Sequence, residues 1–206
     1  MTEYVRLRSE DPVLIEEGPS ALPHAYAGIS GFHRLTAKEI KEHGWLEYSV
    51  DDLPEFDADT QETESILVLE DDKVRLTHEV KPLHPAVVAR LLEEAKQEAI
   101  ATVASLRWEA EVSGTEWEGI ALDTSREGRT ALFQAAQEGE EEEWKDRYGY
   151  WNVMSPEQLQ DAYRAVQEHK RRCFAMERQL TDEIQNMASI KGLRKLDLET
   201  PWRRLV

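Results

Sequence analysis

The spacing of apolar residues changes period several times along the chain, and each change marks an element. In "TAKEIKEHGW", Thr36 and Glu39 are placed as a capping box, and Gly44 sits where a helix C-terminal glycine belongs. This predicts a short helix feeding a strand, "WLEYSV". Residues 1–35 read as short extended pieces and turns, because "DPVLIEEGPSALPHAY" carries three prolines and one glycine. Residues 51–63 read as an acidic connector. In "SILVLEDDKVRLTHEV" two apolar runs flank a polar turn, and Val74, Leu76, His78 and Val80 alternate, which predicts a β-hairpin. The stretch from Trp45 to Val80 is therefore expected to be a small antiparallel β unit.

Helical spacing then takes over. Pro85 suits a first helical position, and Val88, Leu91, Leu92, Ala95, Ala99 and Val103 recur on one face, predicting a helix over 85–105. Period two returns in "RWEAEVSG". Leu106, Trp108, Ala110 and Val112 alternate with Arg107, Glu109 and Glu111, predicting a half-buried strand. "SGT" would turn it toward Trp117, with a bulge at Gly119. Thr124 and Glu127 predict a capped helix carrying Leu132, Phe133, Ala135 and Ala136 to Gly139. "EGEEEEW" reads as a solvated loop tip, since four consecutive glutamates repel one another. "WKDRYGYWNV" reads as a strand pair turning at Gly149.

The last large element opens at "SPEQ", with Ser155 as cap, Pro156 as first residue and Gln158 as the reciprocal partner. Nothing breaks the helix before about Ile190. Leu159, Val166, Cys173, Leu180 and Met187 fall seven apart; Ala162, His169, Met176 and Ile190 take complementary positions, with Glu183 interrupting that row. A helix this long, roughly 50 Å at about 1.5 Å per residue, must pack in part on another element or chain. It packs either on its own domain or on another chain as a coiled coil. Leu159, Val166, Cys173, Met176, Leu180 and Met187 are the candidate partner-interface residues. Trp202, in the basic tail after Gly192, either anchors a partner or packs back on the body.

The reading is an α+β fold. A β-rich module spans 1–84, a linking helix 85–105, and a hairpin-and-helix module 106–206, which ends in the long amphipathic helix. Composition supports a real core with a large wetted surface: 40% of the residues are hydrophobic and 33% charged. A net charge of −17 disfavours nucleic acid and anionic membranes as partners. The charge is uneven. From Arg164 onward 10 basic residues face 6 acidic ones, while residues 1–163 carry 15 basic and 36 acidic groups. The basic end is suited to an acidic surface, its own or a neighbouring copy's.

The single cysteine, Cys173, permits no intrachain disulfide and fits a reducing cytosol. No apolar run has signal-peptide or membrane-span length, so the chain is expected to be soluble and made in the cytoplasm. The chemistry-bearing motifs are missing: no phosphate-binding glycine loop, no HExxH, no cysteine pairs, no nucleophile elbow. The six histidines include no pair at i,i+4 on one helix, and His24, His33 and His43 read as loop residues, not metal ligands. The glutamate run lacks the spaced ligands of a calcium loop. No catalytic residue, cofactor or metal is expected, and an enzyme is the weakest hypothesis.

The segment from Leu106 to about Ile184 resembles a domain of unknown function of tailed bacteriophages (DUF4376-like), found beside tail-fibre and tail-fibre-assembly genes. The matching pieces are "RWEAEVSG", "GIALDTSREGR", "SPEQLQDAYRAVQEH" and "CFAMERQL". The run "ALPHAYAGISGFHRLTAKEIKEHGWLEYSV", then "PEFDADTQ" and the hairpin, is similar to the N-terminal module of phage tail-associated proteins. The resemblance brings no catalytic residues. It implies a non-enzymatic structural or adaptor component of the virion tail, made in the host cytoplasm and contacting tail fibre or baseplate. A homo-oligomer through the long helix is a further expectation. The alternatives are a tail-fibre assembly chaperone and, more weakly, an enzyme acting on the host envelope.

Overall fold

A computed structural model describes residues 2–10 and 12–203. The chain opens with two eight-residue strands, β1 (Glu3–Glu10) and β2 (Val13–Ser20), paired antiparallel. They are longer than the broken extended pieces that the prolines suggested. Pro19 is tolerated because β2 is an edge strand of the sheet, where a missing N–H costs no ladder bond. Two short strands, β3 (Ala25–Tyr26) and β4 (Ile29–Ser30), and a single 3-10 turn (Phe32–Arg34) lead to helix α1 (Ala37–Glu42). Its capping box forms as the sequence predicts: the Thr36 hydroxyl accepts from the Glu39 N–H, and the Glu39 carboxylate accepts from the Thr36 N–H.

Strand β5 (Trp45–Val50) lies beside β1, and the hairpin β6 (Gln61–Glu70) and β7 (Lys73–Pro82) completes a five-stranded sheet in the order β2-β1-β5-β7-β6. The hairpin turns at Asp71 and Asp72, both at positive φ (48° and 63°), the geometry that suits right-twisted strands. Strand β7 runs parallel to β5, so the Trp45–Val80 stretch is not wholly antiparallel as expected. The chain reverses twice between them, and the connector at 51–60 carries β6 to the outer edge. The sheet curls until its edge strands β2 and β6 approach, enclosing Val5, Leu46 and Val74. On the other face Trp45 packs with Phe32 and Ile40. These elements make one unit, residues 1–88; residues 89–206 make a second.

Helix α2 runs over Pro85–Val112, seven residues past the expected end. The expected strand at 106–112 is therefore helix. Val103, Leu106 and Ala110 continue the buried face of the preceding turns, and no breaker intervenes before Gly114. Trp108, expected to point inward, is exposed. The hairpin that does form is β8 (Thr115–Trp117) with β9 (Ile120–Leu122), and Gly119 lies in its turn, not in a bulge. Helix α3 (Arg126–Glu138) is capped by Ser125, whose hydroxyl accepts from the Gly128 N–H. Thr124, the expected cap, instead accepts from the Gly114 N–H and is buried.

Strands β10 (Glu142–Lys145) and β11 (Trp151–Met154) form an antiparallel hairpin, so half of the expected glutamate loop is strand. Helix α4 (Pro156–Gln185) follows, with the Ser155–Gln158 capping box in place. It stops at Asn186, short of the expected Ile190, and the Lys96 ammonium donates to the carbonyl of Gln185 at its end. Helices α5 (Ile190–Leu193) and α6 (Thr200–Arg203) close the described chain. The fold is α+β, with N-terminal antiparallel strands and a long helix near the C-terminus.

The long helix packs within its own unit. Leu159, Ala162 and Val166 join Leu122, Leu132 and Met154 in one core beside α3. Cys173, Leu180 and Ile184 join Val103, Ala110, Leu193 and Trp202 in a second core beside α2. One stripe thus serves two cores in series. Each buried Leu, Ile or Val contributes about 1.5–3 kcal/mol.

Candidate functional site

Two features of the second unit stand apart from ordinary packing: a buried ion network and an exposed aromatic hairpin. The network centres on Glu111, which is 3% exposed in the last turn of α2. One carboxylate oxygen accepts from Arg107, one turn earlier on α2, at 2.5 Å; the other accepts from Arg129 of α3 at 2.5 Å. Arg107 also reaches Glu177 of α4 at 3.4 Å. Three helices are tied through two guanidinium groups. Beside them His169, fully buried on α4 between the two cores, donates from Nε2 to the carbonyl of Ala110 at 2.9 Å.

Burial alone would push the Glu111 carboxyl up. Hydrogen bonds from Arg129 and Arg107, with the attraction of their charges, outweigh it and hold the group below the usual carboxylate value. The Cys173 thiol, near His169, is raised by burial and by the Glu111 charge, the opposite of an activated nucleophile. The network is a structural latch: its charges pair with one another, and the Arg107 guanidinium also lies over the Phe174 ring at 4.8 Å.

The hairpin β10–β11 has the reverse character. Trp144 and Met154 point into the core beside α3. Trp151 and Val153 stand on the outer face, and Tyr148 and Tyr150 flank the turn; the three aromatics are 65%, 77% and 70% exposed in that order. The turn is rigidly built. The Asp146 carboxylate accepts from the N–H groups of Tyr148 (2.9 Å) and Tyr150 (2.8 Å), and the Arg147 N–H donates to the carbonyl of Ala121 in β9 (2.8 Å). Gly149 lies at φ 93°, a position that glycine adopts without strain. Lys145 rests its ammonium over the Trp151 ring at 5.6 Å. Glu140, Glu141, Glu142 and Glu143 are all exposed at the base.

The residues chosen from sequence as a partner interface fall elsewhere. Leu159, Val166, Cys173 and Leu180 are at most 2% exposed, inside the two cores, which leaves them no surface for a second chain. Met176 and Met187 are partly buried against the second core, and Trp202 packs in it. The physical reason is the serial arrangement of α3 and α2 along one helix face. His24 and His33 stack edge to face at 4.3 Å, while His43 packs against Phe32. Among the described residues no group of three or more His, Cys, Asp or Glu side chains is placed to hold a metal, and no helix is long and apolar enough to cross a membrane.

Sequence reasoning missed both features. Arg107 and Glu111 are spaced i,i+4 and would have been paired had the segment been read as helix. "YGYWNV" concentrates three aromatics in four positions, but strand periodicity alone does not reveal that most of them face solvent.

A family model described as "Domain of unknown function (DUF4376)" matches residues 94–199. The match contains the whole ion network, His169 and the aromatic hairpin. No curated protein and no solved structure matches the chain.

Proposed function

The chain belongs to this family of domains of unknown function, and we propose on that premise that it is a non-enzymatic structural or adaptor protein of a bacteriophage tail. It works by protein–protein contacts near the tail fibres or baseplate. The observation that supports a contact-making role is the β10–β11 hairpin. Its three exposed aromatics are fixed by the Asp146 turn and by the bond to β9, so little ordering entropy is lost when a partner covers them. Aromatic residues held out in this way are what interface hot spots are made of. The phage setting rests on the resemblance of "RWEAEVSG", "GIALDTSREGR" and the long-helix motifs. Mass spectrometry of purified virions tests it: the protein is expected in stoichiometric amount, and its absence from mature particles overturns the reading.

A tail-fibre assembly chaperone is the second reading. The net charge of −17 favours it, because a strongly charged carrier keeps an exposed apolar client in solution. Co-expression with the fibre protein separates the two. A chaperone raises the yield of soluble fibre and is absent from the finished particle.

A further inference from the structure

The first unit holds a cavity of about 400 Å³ between α1 and the face of its sheet that carries Trp45. A row across three adjacent strands lines it. Tyr4 of β1 stands opposite Glu47 of β5, and Glu47 opposite Lys73 of β7. The Lys73 ammonium meets the Glu47 carboxylate at 2.8 Å. On the helix side the Lys41 ammonium meets the Asp72 carboxylate at 2.5 Å and ties α1 to the β6–β7 turn. Lys38 of α1 and Asp71 of that turn also line the cavity. Both are exposed, and neither has an ion-pair partner among the described residues.

Trp45 lines the same cavity. It is 2% exposed, and its indole N–H is buried without a hydrogen-bond partner. A buried donor left unpaired in a folded chain calls for an explanation. The half-buried Tyr4 packs against the cluster of Trp45, Phe32 and Ile40.

We propose that this cavity binds a neutral, polyhydroxylated ligand, one sugar ring of a saccharide. Charge excludes the simpler ligands. Lys38, Lys41 and Lys73 are balanced by Glu47, Asp71 and Asp72, so the lining attracts neither a free anion nor a free cation. The polar lining mixes donors with acceptors. A hydroxyl donates and accepts at once, so neighbouring hydroxyls can donate to Asp71 while accepting from Lys38 and from the Trp45 indole. The two ion pairs keep spare capacity as well, since an ammonium has three N–H groups and a carboxylate about four acceptor positions. Tyr4, Ile40 and Trp45 supply apolar surface for the C–H face of a ring. A volume of about 400 Å³ falls at the lower end of small-molecule sites, roughly 300–1,000 Å³, which suits a single ring. The inference goes beyond the tail reading and is independent of it, because that reading rests on the second unit and this site lies in the first.

Titration of the ¹⁵N-labelled full chain with glucose, galactose and N-acetylglucosamine, followed by proton–nitrogen NMR, tests it. At least one of the three should shift the Trp45 indole peak saturably, together with the backbone peaks of Lys38 and Asp71. Trp45→Phe assigns the indole peak by its loss. Lys38→Ala with Asp71→Ala removes two exposed side chains that have no ion pair to lose, so the melting curve should stay close to wild type. That double variant should weaken sugar binding by about tenfold or more, as loss of hydrogen bonds to charged groups does. An indole peak unmoved by all three sugars, or binding that the double variant leaves intact, overturns the proposal. So does a stronger response of the same peaks to inorganic phosphate or to glycine, which would make the cavity an anion or zwitterion site. Sugar binding by a protein absent from virions overturns the tail reading and leaves this one standing.

Discussion

The second unit buries a carboxylate and exposes a tryptophan. Glu111 lies inside with two arginines, while Trp151 stands outside with no core to enter. The difference separates what holds the unit together from what it offers to others. Every charge near Glu111 has a partner within the chain, so its placement is explained by the fold alone. The aromatics of the hairpin are held by backbone bonds at their base, but their rings meet mainly solvent. Fold stability does not explain them.

Breaking the inner side should have the largest effect. Glu111→Ala leaves the Arg107 and Arg129 guanidinium groups without their shared partner and should cost about 3–5 kcal/mol, as removal of one member of a buried pair does. Urea denaturation measures it. Replacing Arg107, Glu111 and Arg129 together by Met, Leu and Met should recover much of that loss, because no charge then stays buried and unpaired. A triple variant as unstable as Glu111→Ala would show that the latch contributes more than mutual neutralisation.

Acid sharpens the same side. The Glu111 carboxyl is held below its ordinary value of 4.5, so its share of stability is fully present above that pH. It is lost as pH falls through the lower, folded-state value. The gap in stability between wild type and Glu111→Gln should therefore be constant near neutrality and shrink below about pH 4.5. Denaturation curves at several pH values check this; a gap that widens in acid would mean that the carboxyl is raised, not lowered.

Gly128→Ala probes the support beneath the latch. Helix propensity alone favours alanine by about 1 kcal/mol. At this position a Cβ would sit 2.6 Å from the Asp123 carbonyl oxygen, which is backbone and cannot swing away. The substitution should cost about 1–3 kcal/mol instead, as overpacking does, and thermal melting decides the sign.

Much of the fold is legible where the determinants are local. Thr36 with Glu39, and Ser155 with Gln158, announce helix starts that the structure reproduces, because a capping box is made by residues three apart. Residues 106–112 mislead because Val103, Leu106 and Ala110 keep helical spacing while the intervening residues happen to alternate in polarity. The pairing of β5 with β7 is hidden, since it depends on where a connector carries β6. The stripe from Leu159 to Leu180 illustrates the limit most sharply. Periodicity identifies the face that must be covered but not whether α3 and α2, or another chain, will cover it. The candidate site fares worse still: exposure is a property of the assembled unit, and "YGYWNV" looks the same in or out.

The outer side should yield the smallest change in stability, and that makes it informative. Trp151→Ser removes a side chain whose main internal contact is the Lys145 ammonium, an exposed cation–π pair. The ladder bonds of β11 and the inward packing of Met154 remain. The unfolding free energy should stay within about 0.5 kcal/mol of wild type, the usual range for surface positions. A loss comparable with that of Glu111→Ala would mean that Trp151 packs against this chain after all, and the contrast between a structural interior and a contact-making hairpin would collapse. A silent substitution in the melting curve, combined with lost association, would instead place the energetic value of Trp151 outside the monomer. That is the signature of a residue kept in the open for a partner.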